Sequence, residues 1–369
     1  MQRILIILGF WITLLIGFVP VSVLGNDENK GGEKNKKEGF NVSELLFHHV
    51  LDAHEWHFTD IPAGTNADGS TRYIPIGFPL PYIIYNSEKG LEMFIISGHS
   101  NAAKQASAFK KGYFLDEHGH LKPAEGSASV LDISITKSVF QMLLISIIIL
   151  IIFISIANSY KRNKDKAPSG MQSFFEPVII FVRDEVAAPN LHGKHDAFMP
   201  YLLTLFFFIW FCNLLGLTPL NSNIAGNTSF TAALALLTFV IVQFNGTKDY
   251  WQHIFWFPGV PFIIKILMLL VEFIGVFTKP FALTVRLFAN IAGGHFMVLS
   301  LVSLIFLMAD NGNNIGASLG IMPLSMAFSL FIMGLEFLVA AIQAYVFTLL
   351  TCVFIGQAME SHSHEEAHH

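Results

Sequence analysis

Charged residues are scarce in this chain of 369 residues. Lys, Arg, Asp and Glu make up 13% of it, and none occurs between Phe198 and Thr247. A soluble domain usually contains about a quarter of such residues. Hydrophobic residues reach 53%, with 36 phenylalanines among them. This composition excludes an ordinary soluble protein and indicates a membrane protein, and the net charge of −5 gives no reason to expect a nucleic-acid partner.

Cysteine is almost absent too. Cys212 and Cys352 both lie in apolar segments, so a disulfide framework is not expected and both are predicted to pack as small apolar residues. Leu45–His57 contains four histidines, but His54-Glu-Trp-His57 leaves two residues between histidines where a zinc-protease motif has three. The sequence therefore predicts ordinary surface histidines there, with no metal site and no cofactor.

The first 137 residues are predicted to contain a signal peptide, a polar linker and an extension. Residues 1–25 combine a basic start, an apolar run and small residues, which predicts a signal peptide. The alternative is an uncleaved first helix, because Ile4–Leu24 is just long enough to span a bilayer. Residues 26–39 form a polar linker, and residues 40–137 are expected to be an extracytoplasmic extension of unknown role.

The extension contains signals for short strands. Leu91–Ser97 and Gly112–Pro123 are predicted strands, the second with a hairpin turn at Asp116–Gly119. Tyr73–Tyr85 is extended as well, but its three prolines confine it to a sheet edge or a loop. Leu45–His57 is predicted to be a short helix. Together these predict a small β-rich domain.

Residues 138–357 have the pattern of an all-α polytopic membrane domain. The first three predicted spans are Ser138–Ser159, Phe198–Leu217 and Thr228–Phe244. The basic run Lys161–Lys166 marks a cytoplasmic loop by the positive-inside rule, and Met171–Val186 is predicted to be an amphipathic helix at that interface. The chain is therefore expected to end in the cytoplasm, with a His-rich tail at 358–369.

Two overlong apolar segments follow, Pro261–Met308 and Pro323–Ile355, joined by a turn at Asp310–Asn314. A perpendicular span needs only about 20 residues. The first segment is therefore expected to be strongly tilted, broken near Lys279–Pro280, or re-entrant. Because both segments contain polar groups, we predict a long tilted helical hairpin.

Six polar side chains within this hairpin define the candidate site: Glu272, Arg286, Asn290, His295, Glu336 and Gln343. Arg286 and Asn290 are four residues apart on one helical face, whereas His295 is nine residues after Arg286 and falls on the other side. Mutual neutralisation of Arg286 or His295 by Glu336 is the simplest interpretation. Glu, His, Asn and Gln also suit a proton relay, and arginine keeps its proton, so it serves as a fixed positive gate. The pattern favours proton or ion translocation.

These residues stand in a recognisable motif. Leu283-Thr-Val-Arg-Leu-Phe-Ala-Asn290 with Gly293-Gly294-His295 closely resembles the signature of subunit a of the rotary F-type ATP synthase. The resemblance extends to Asn213-Leu-Leu-Gly-Leu-Thr-Pro219 and to Gly334-Leu-Glu336 with Gln343, and it covers roughly Phe140 to Gly356. Residues 26–137 and the tail lie outside it.

The resemblance implies a role for each site residue. Arg286 matches the arginine that faces the carboxylate of each passing c subunit, and Asn290 and Gln343 match polar groups on the inlet side. His295 and Glu336 occupy the positions of a Glu/His pair, and Glu272 matches an acidic residue of the exit half-channel. The family's partners are the c-ring, the subunit b stalk and the other synthase subunits in a bacterial inner membrane, and subunit a makes no covalent bond itself.

Two alternatives belong to other classes of protein. One is a stand-alone secondary transporter or channel, although such proteins usually show internal repeats that are not visible here. The other is an extracytoplasmic metal-binding module with a membrane anchor, which gives Arg286 no purpose. The sequence leaves the coupling ion, proton or sodium, undetermined.

Overall fold

The computed structural model describes residues 55–65, 71–96, 101–115, 121–123, 130–162, 167–191, 193–218, 224–256, 261–308 and 315–360. The predicted signal peptide, the linker, the turns at Asp116–Gly119 and Asp310–Asn314, and the tail from 361 lie outside these residues, as does most of the basic run at 161–166. The same holds for residues 45–54 of the predicted N-terminal helix. Those assignments stay predictions.

The extension forms three small antiparallel sheets among the described residues. Their strands are β1 (Glu55–Thr65), β2 (Thr71–Pro79), β3 (Pro81–Asn86), β4 (Gly90–Ile95), β5 (Tyr113–Leu115), β6 (Leu121–Pro123) and β7 (Val130–Asp132). Strand β1 pairs with β2, β5 pairs with β6, and β3 lies between β4 and β7. One short helix, α1 (Asn101–Phe109), lies between β4 and β5.

Two expectations for this region are wrong. Glu55–His57 opens strand β1 where the end of a helix was predicted. The segment from Tyr73 to Tyr85 is divided between β2 and β3, and β3 is a central strand, not an edge strand or a loop. Pro81 is compatible with that position because it is the first residue of β3, where a missing N–H interrupts no ladder.

A small core holds the three-stranded sheet against β5 and β6. Tyr113 is 1% exposed and stacks on Phe94 at 5.7 Å between ring centroids. Its hydroxyl donates to Glu92 and accepts from Asn86 Nδ2 at 3.0 Å. Burial raises the pKa of the Tyr113 phenol above its ordinary value, and the hydrogen bond to Glu92 raises it further. The phenol therefore stays protonated and holds Glu92 on the buried face of the sheet.

The rest of the chain is helical. Its helices are α2 (Lys137–Arg162), α3 (Met171–Phe181), α4 (His195–Gly216), α5 (Thr228–Phe244), α6 (Lys248–Phe255), α7 (Phe262–Met308) and α8 (Ile315–Met359). Within the described part, α2, α4, α7 and α8 are long and apolar enough to cross a membrane. Helices α5 and α6 meet at 104° and count as a fifth candidate if they are taken together.

Helix α4 forms the centre of the helical core. It contains no charge after Asp196, and its buried residues lie on all sides, which is the pattern of a helix enclosed by others. Phe207 packs against Phe153 of α2 at 4.8 Å and against Phe175 of α3 at 5.6 Å between ring centroids. On another side, Tyr201 Oη hydrogen-bonds Thr238 Oγ1 of α5 at 3.0 Å.

Helix α3 continues into a π-helical segment, Val182–Ala187, and a last turn, Ala188–Asn190. Val182 and Val186 are fully buried, whereas Arg183, Asp184 and Glu185 are exposed, so the predicted amphipathic character is present. This segment receives the end of α8, where Cys352 Sγ contacts Val186 O at 3.4 Å. Cys212 and Cys352 are both buried and unpaired by disulfides, as predicted.

The two overlong segments form two unbroken helices. Helix α7 runs for 47 residues through Pro280, so of the three alternatives for this segment the break near Lys279–Pro280 does not occur. Helix α8 runs for 45 residues and begins at Ile315, eight residues before the predicted start at Pro323. The chain is α-helical on both sides of each proline, because the backbone around a proline can adjust where neighbouring helices and side chains satisfy the freed groups.

Candidate functional site in the C-terminal hairpin

Helices α7 and α8 pack antiparallel along most of their length. Near the loop between them, Ser318 Oγ donates to Ile305 O at 3.0 Å, and Ser325 Oγ donates to Leu301 O. At the opposite end, Lys279 Nζ donates to Gln357 Oε1 at 3.3 Å. The polar groups predicted from the sequence lie between these two ends.

Arg286 lies beside the buried stripe of α7, on a face that no other described residue covers. Leu283, Leu287 and Ile291 form that stripe and are 2%, 0% and 9% exposed. Arg286 and its neighbour Val285 are exposed. Among the described residues, Arg286 has neither an ion pair nor a hydrogen bond. The interpretation in which Glu336 neutralises Arg286 is therefore wrong for the described chain, and the guanidinium faces outward.

One turn further along α7, Asn290 reaches across to α8. Its Nδ2 donates to Gln343 Oε1 at 2.8 Å. Gln343 is 2% exposed, and its Nε2 has no partner among the described residues. A buried amide donor left over after this bond is suited to hold a water molecule.

Another turn on, Gly294 gives Glu336 room against the backbone of α7. A Cβ atom at position 294 would lie 1.9 Å from Glu336 Oε1, so only glycine accommodates this carboxylate. The next residue, His295, has a buried Nε2 without a partner in the described chain. No ion pair within 4.0 Å joins His295 to Glu336 there, so the second version of mutual neutralisation is wrong as well. Glu336 thus lies against Gly294, the residue before His295, without a direct bond to His295 in the described chain.

Glu272 is separate from this group. It lies 14 residues before Arg286 on α7, or about 21 Å at ~1.5 Å per residue. Lys279 stands between them in the sequence, with its ammonium 5.2 Å from the centroid of the Phe354 ring. The structure therefore brings Asn290 to Gln343 and Glu336 to the Gly294–His295 backbone, and it leaves Glu272 on the other side of Arg286.

Two buried amides were not among the predicted site residues. Asn213 of α4 is 2% exposed, and its Nδ2 donates to Ala340 O of α8 at 3.3 Å while its Oδ1 lacks a partner in the described chain. Gln141 of α2 is 0% exposed, and neither of its amide atoms has a partner there. Asn213 belongs to the motif Asn213–Pro219, which gives no separate indication of its contact with α8. Gln141 is a lone amide in an apolar run, and that isolation is the sequence signal that could identify it.

Comparison with known proteins assigns the helical region. The sequence model described as ATP synthase A chain matches residues 139–356, which is more than half of the chain. The chain belongs to the ATP synthase subunit a family. It is a multi-pass membrane protein of that family, whose members are membrane components of the synthase, and its partners are other synthase subunits.

Three similar proteins carry names of this family. ATP synthase subunit a of Chloroherpeton thalassium is 44% identical over 244 residues, which is 64% of this chain and 70% of that protein. ATP synthase subunit a 2 of Chlorobaculum tepidum is 41% identical over 64% of this chain and 66% of that protein. The protein of the same name from Prosthecochloris aestuarii is 41% identical over 64% of this chain and 73% of that protein.

The extension matches a second family. Residues 45–139 fit a model described as Domain of unknown function (DUF8433). This match includes the described strands and ends inside the first turn of α2.

Proposed function

We propose that this chain forms two aqueous half-channels against a ring of c subunits and couples proton flow to rotation of that ring. The observation that carries the proposal is Arg286: an arginine on an outward face of α7, without a partner among the described residues. An arginine at membrane depth costs roughly 2.5–3.5 kcal/mol on insertion scales. Because the described residues supply no counter-charge for Arg286, we assign that role to a carboxylate on another subunit.

The inlet half-channel is proposed to run along Asn290, Gln343, His295 and Glu336. Support comes from the buried amide and imidazole nitrogens of Gln343 and His295, which lack protein partners in the described chain and can bind water. Asn213 contacts the same stretch of α8 and is added to this path. The proposed orientation places residues 26–137 and the α7–α8 loop on the extracytoplasmic side.

Glu272 is proposed to lie on the exit side. It is half-buried and stands nearer the start of α7, at the end of the helix opposite to the inlet residues. Arg286 lies between the two groups, so its fixed charge prevents a proton from passing directly from one to the other. A potential of ~100 mV contributes about 2.3 kcal/mol per charge that crosses, and this free energy becomes torque only if that direct route stays closed.

Glu336→Gln tests the relay. The substitution keeps the shape of the side chain and removes its ability to exchange a proton, so we expect ATP-driven proton pumping in reconstituted vesicles to fall by about tenfold or more. The matched control is Gln357→Glu, which makes the reverse exchange of an amide for a carboxylate beside Lys279. This variant should keep most of the pumping activity. Normal pumping by Glu336→Gln in a complex with its c-ring would remove Glu336 from the path, and purification without a ring of small subunits would refute the proposed partner.

A further inference from the structure

The three-stranded sheet of the extension has two apolar faces, and only one of them is covered by other residues that the structure describes. Tyr82 and Ile84 of β3 are buried in the small core beneath the sheet. On the other face, Tyr85, Leu91, Met93, Ile95 and Leu131 are 51%, 69%, 71%, 55% and 46% exposed. Soluble surfaces rarely expose contiguous apolar patches of more than a few hundred Å². This face is therefore expected to contact something apolar.

Strand pairing arranges these residues in three rows. Leu91, Tyr85 and Leu131 are directly opposite one another, and Met93 is opposite Ile83. Backbone bonds from Ile133 N to Ile83 O at 2.8 Å and from Ile135 N to Pro81 O at 3.3 Å extend the pairing beyond β7. We call these nine residues the apolar sheet face: Pro81, Ile83, Tyr85, Leu91, Met93, Ile95, Leu131, Ile133 and Ile135. None of the nine is charged.

The last row of this face lies next to the membrane. Ile135 is two residues before Lys137, where α2 begins. A hydrocarbon core of ~30 Å takes about 20 helical residues, and 20 residues counted back from Ser159 reach Phe140. The path from Ile135 to Phe140 measures at most about 11 Å for two extended and three helical steps. Ile135, which shares a row with Ile95 and Pro81, thus lies at most about 11 Å from the hydrocarbon boundary, in or just above a headgroup layer that is ~5–7 Å thick on each side.

We propose that the apolar sheet face rests on the bilayer surface, on the side where α2 begins, and inserts its Ile95 row into the boundary between headgroups and acyl chains. Helix α2 begins after only four more residues beyond β7 and has an exposed apolar side of its own, on which Ile147, Leu150, Ile151 and Ile154 are 53%, 52%, 63% and 57% exposed. Strands β3 and β4 thereby fix how the extension stands on the membrane. The turn Ser87–Lys89, at the other end of the two strands, points into water.

Depth measurements on the full-length chain in vesicles of phosphatidylethanolamine and phosphatidylglycerol test this. Ile95→Cys, Met93→Cys and Leu91→Cys each place a nitroxide label on the face, and Glu88→Cys in the turn is the matched exposed control. Cys212 and Cys352 are 1% and 0% exposed, so the unsubstituted chain is the blank for labelling. The readout is the ratio of collisions with oxygen, which dissolves in lipid, to collisions with a water-soluble nickel chelate.

We expect a ratio at Ile95 several-fold above that at Glu88, with Met93 intermediate and Leu91 lowest of the three. A ratio at Ile95 and Met93 equal to that at Glu88 would place the face in water and overturn the proposal. Low collision rates with both reagents at Ile95 and Met93 would show that protein covers the face, which overturns it too. Because the substituted side chains are exposed, none of the four changes removes core packing.

Discussion

At the scale of single residues, the site is defined by polar groups whose partners are incomplete. Asn290 and Gln343 satisfy each other in part, while Gln343 Nε2 and His295 Nε2 have no partner among the described residues. Buried polar atoms are normally paired. Such atoms on one helical hairpin are suited to bind water, and a chain of water molecules is what the proposed proton path requires.

The Asn290–Gln343 bond leads to the first prediction at this scale. Asn290→Leu and Gln343→Met each break the bond, and each should slow ATP-driven proton pumping by roughly threefold to tenfold, since one hydrogen bond contributes about 0.5–1.5 kcal/mol. The double variant should be no slower than the slower single variant, because both remove the same interaction. Gln357→Met is the control, since its amide contacts Lys279 outside the cluster. Effects that multiply in the double variant would show that the two amides act independently.

The candidate residues could be selected from the sequence, and their identity as site residues stays a prediction, whereas their contacts were only partly predictable. Helical spacing placed Arg286 and Asn290 on one face, because that geometry is local. The position of Glu336 depends on the register between α7 and α8, which no local pattern specifies. The sequence therefore allows Glu336 to neutralise Arg286 or His295. In the structure Glu336 lies against Gly294 and makes no ion pair with either residue in the described chain.

At the scale of elements, Gly294 controls the approach of α8 to α7. In Gly294→Ala, the new Cβ would meet Glu336 Oε1, Cδ and Cγ at 1.9, 2.7 and 2.9 Å, so the carboxylate must swing away. We expect the complex to assemble and proton pumping to fall toward the level of Glu336→Gln. Gly293→Ala is the matched control, because nothing lies within 4 Å of a Cβ there. Equal pumping by the two alanine variants would mean that Gly294 does not position Glu336.

Gly356 has a structural role at the end of α8. Its ideal Cβ would lie 2.1 Å from the backbone oxygen of Asn190, so α8 contacts the turn after the π-helical segment backbone to backbone. Gly356→Ala should lower stability by about 1–3 kcal/mol, the usual effect of overpacking, seen as a lower unfolding temperature in detergent. Gly334→Ala in the same helix meets nothing within 4 Å and should be neutral or stabilising. A Gly356→Ala protein as stable as the Gly334→Ala protein would contradict this packing.

The elements themselves were largely predictable. Thr228–Phe244 was predicted residue for residue, because uncharged apolar runs bounded by polar loops define a helix strongly. Proline misled the prediction at Pro81, which begins a central strand, and the break at Pro280, one of the three alternatives for α7, does not occur. In both cases proline's local preference gave way to tertiary context, which the sequence pattern does not contain.

At the scale of the whole molecule, the helical part and the extension are proposed to contact the same membrane in different ways. The helical part belongs to the subunit a family, with its outward arginine, and the proposed counter-charge stands on another subunit. The extension matches a family of unknown function, and its apolar sheet face lies within a few residues of the first span. The candidate site could be proposed from the sequence because ionisable and amide side chains are rare in apolar helices. The apolar sheet face could not be predicted, because only strand pairing reveals which residues share a side.

In the proposed mechanism, Arg286 must keep its positive charge throughout the cycle. Arg286→Lys keeps a positive charge but introduces a group that loses its proton when it is desolvated. Arg162→Lys, at the exposed end of α2, is the matched control for the same exchange outside the hairpin.

The most direct measurement is ATP-driven acidification of vesicles that contain the complete synthase with each variant. We expect Arg286→Lys to abolish coupled pumping while the complex stays assembled, and Arg162→Lys to pump normally. Full pumping by the assembled Arg286→Lys complex would show that the charge at position 286 need not be permanent.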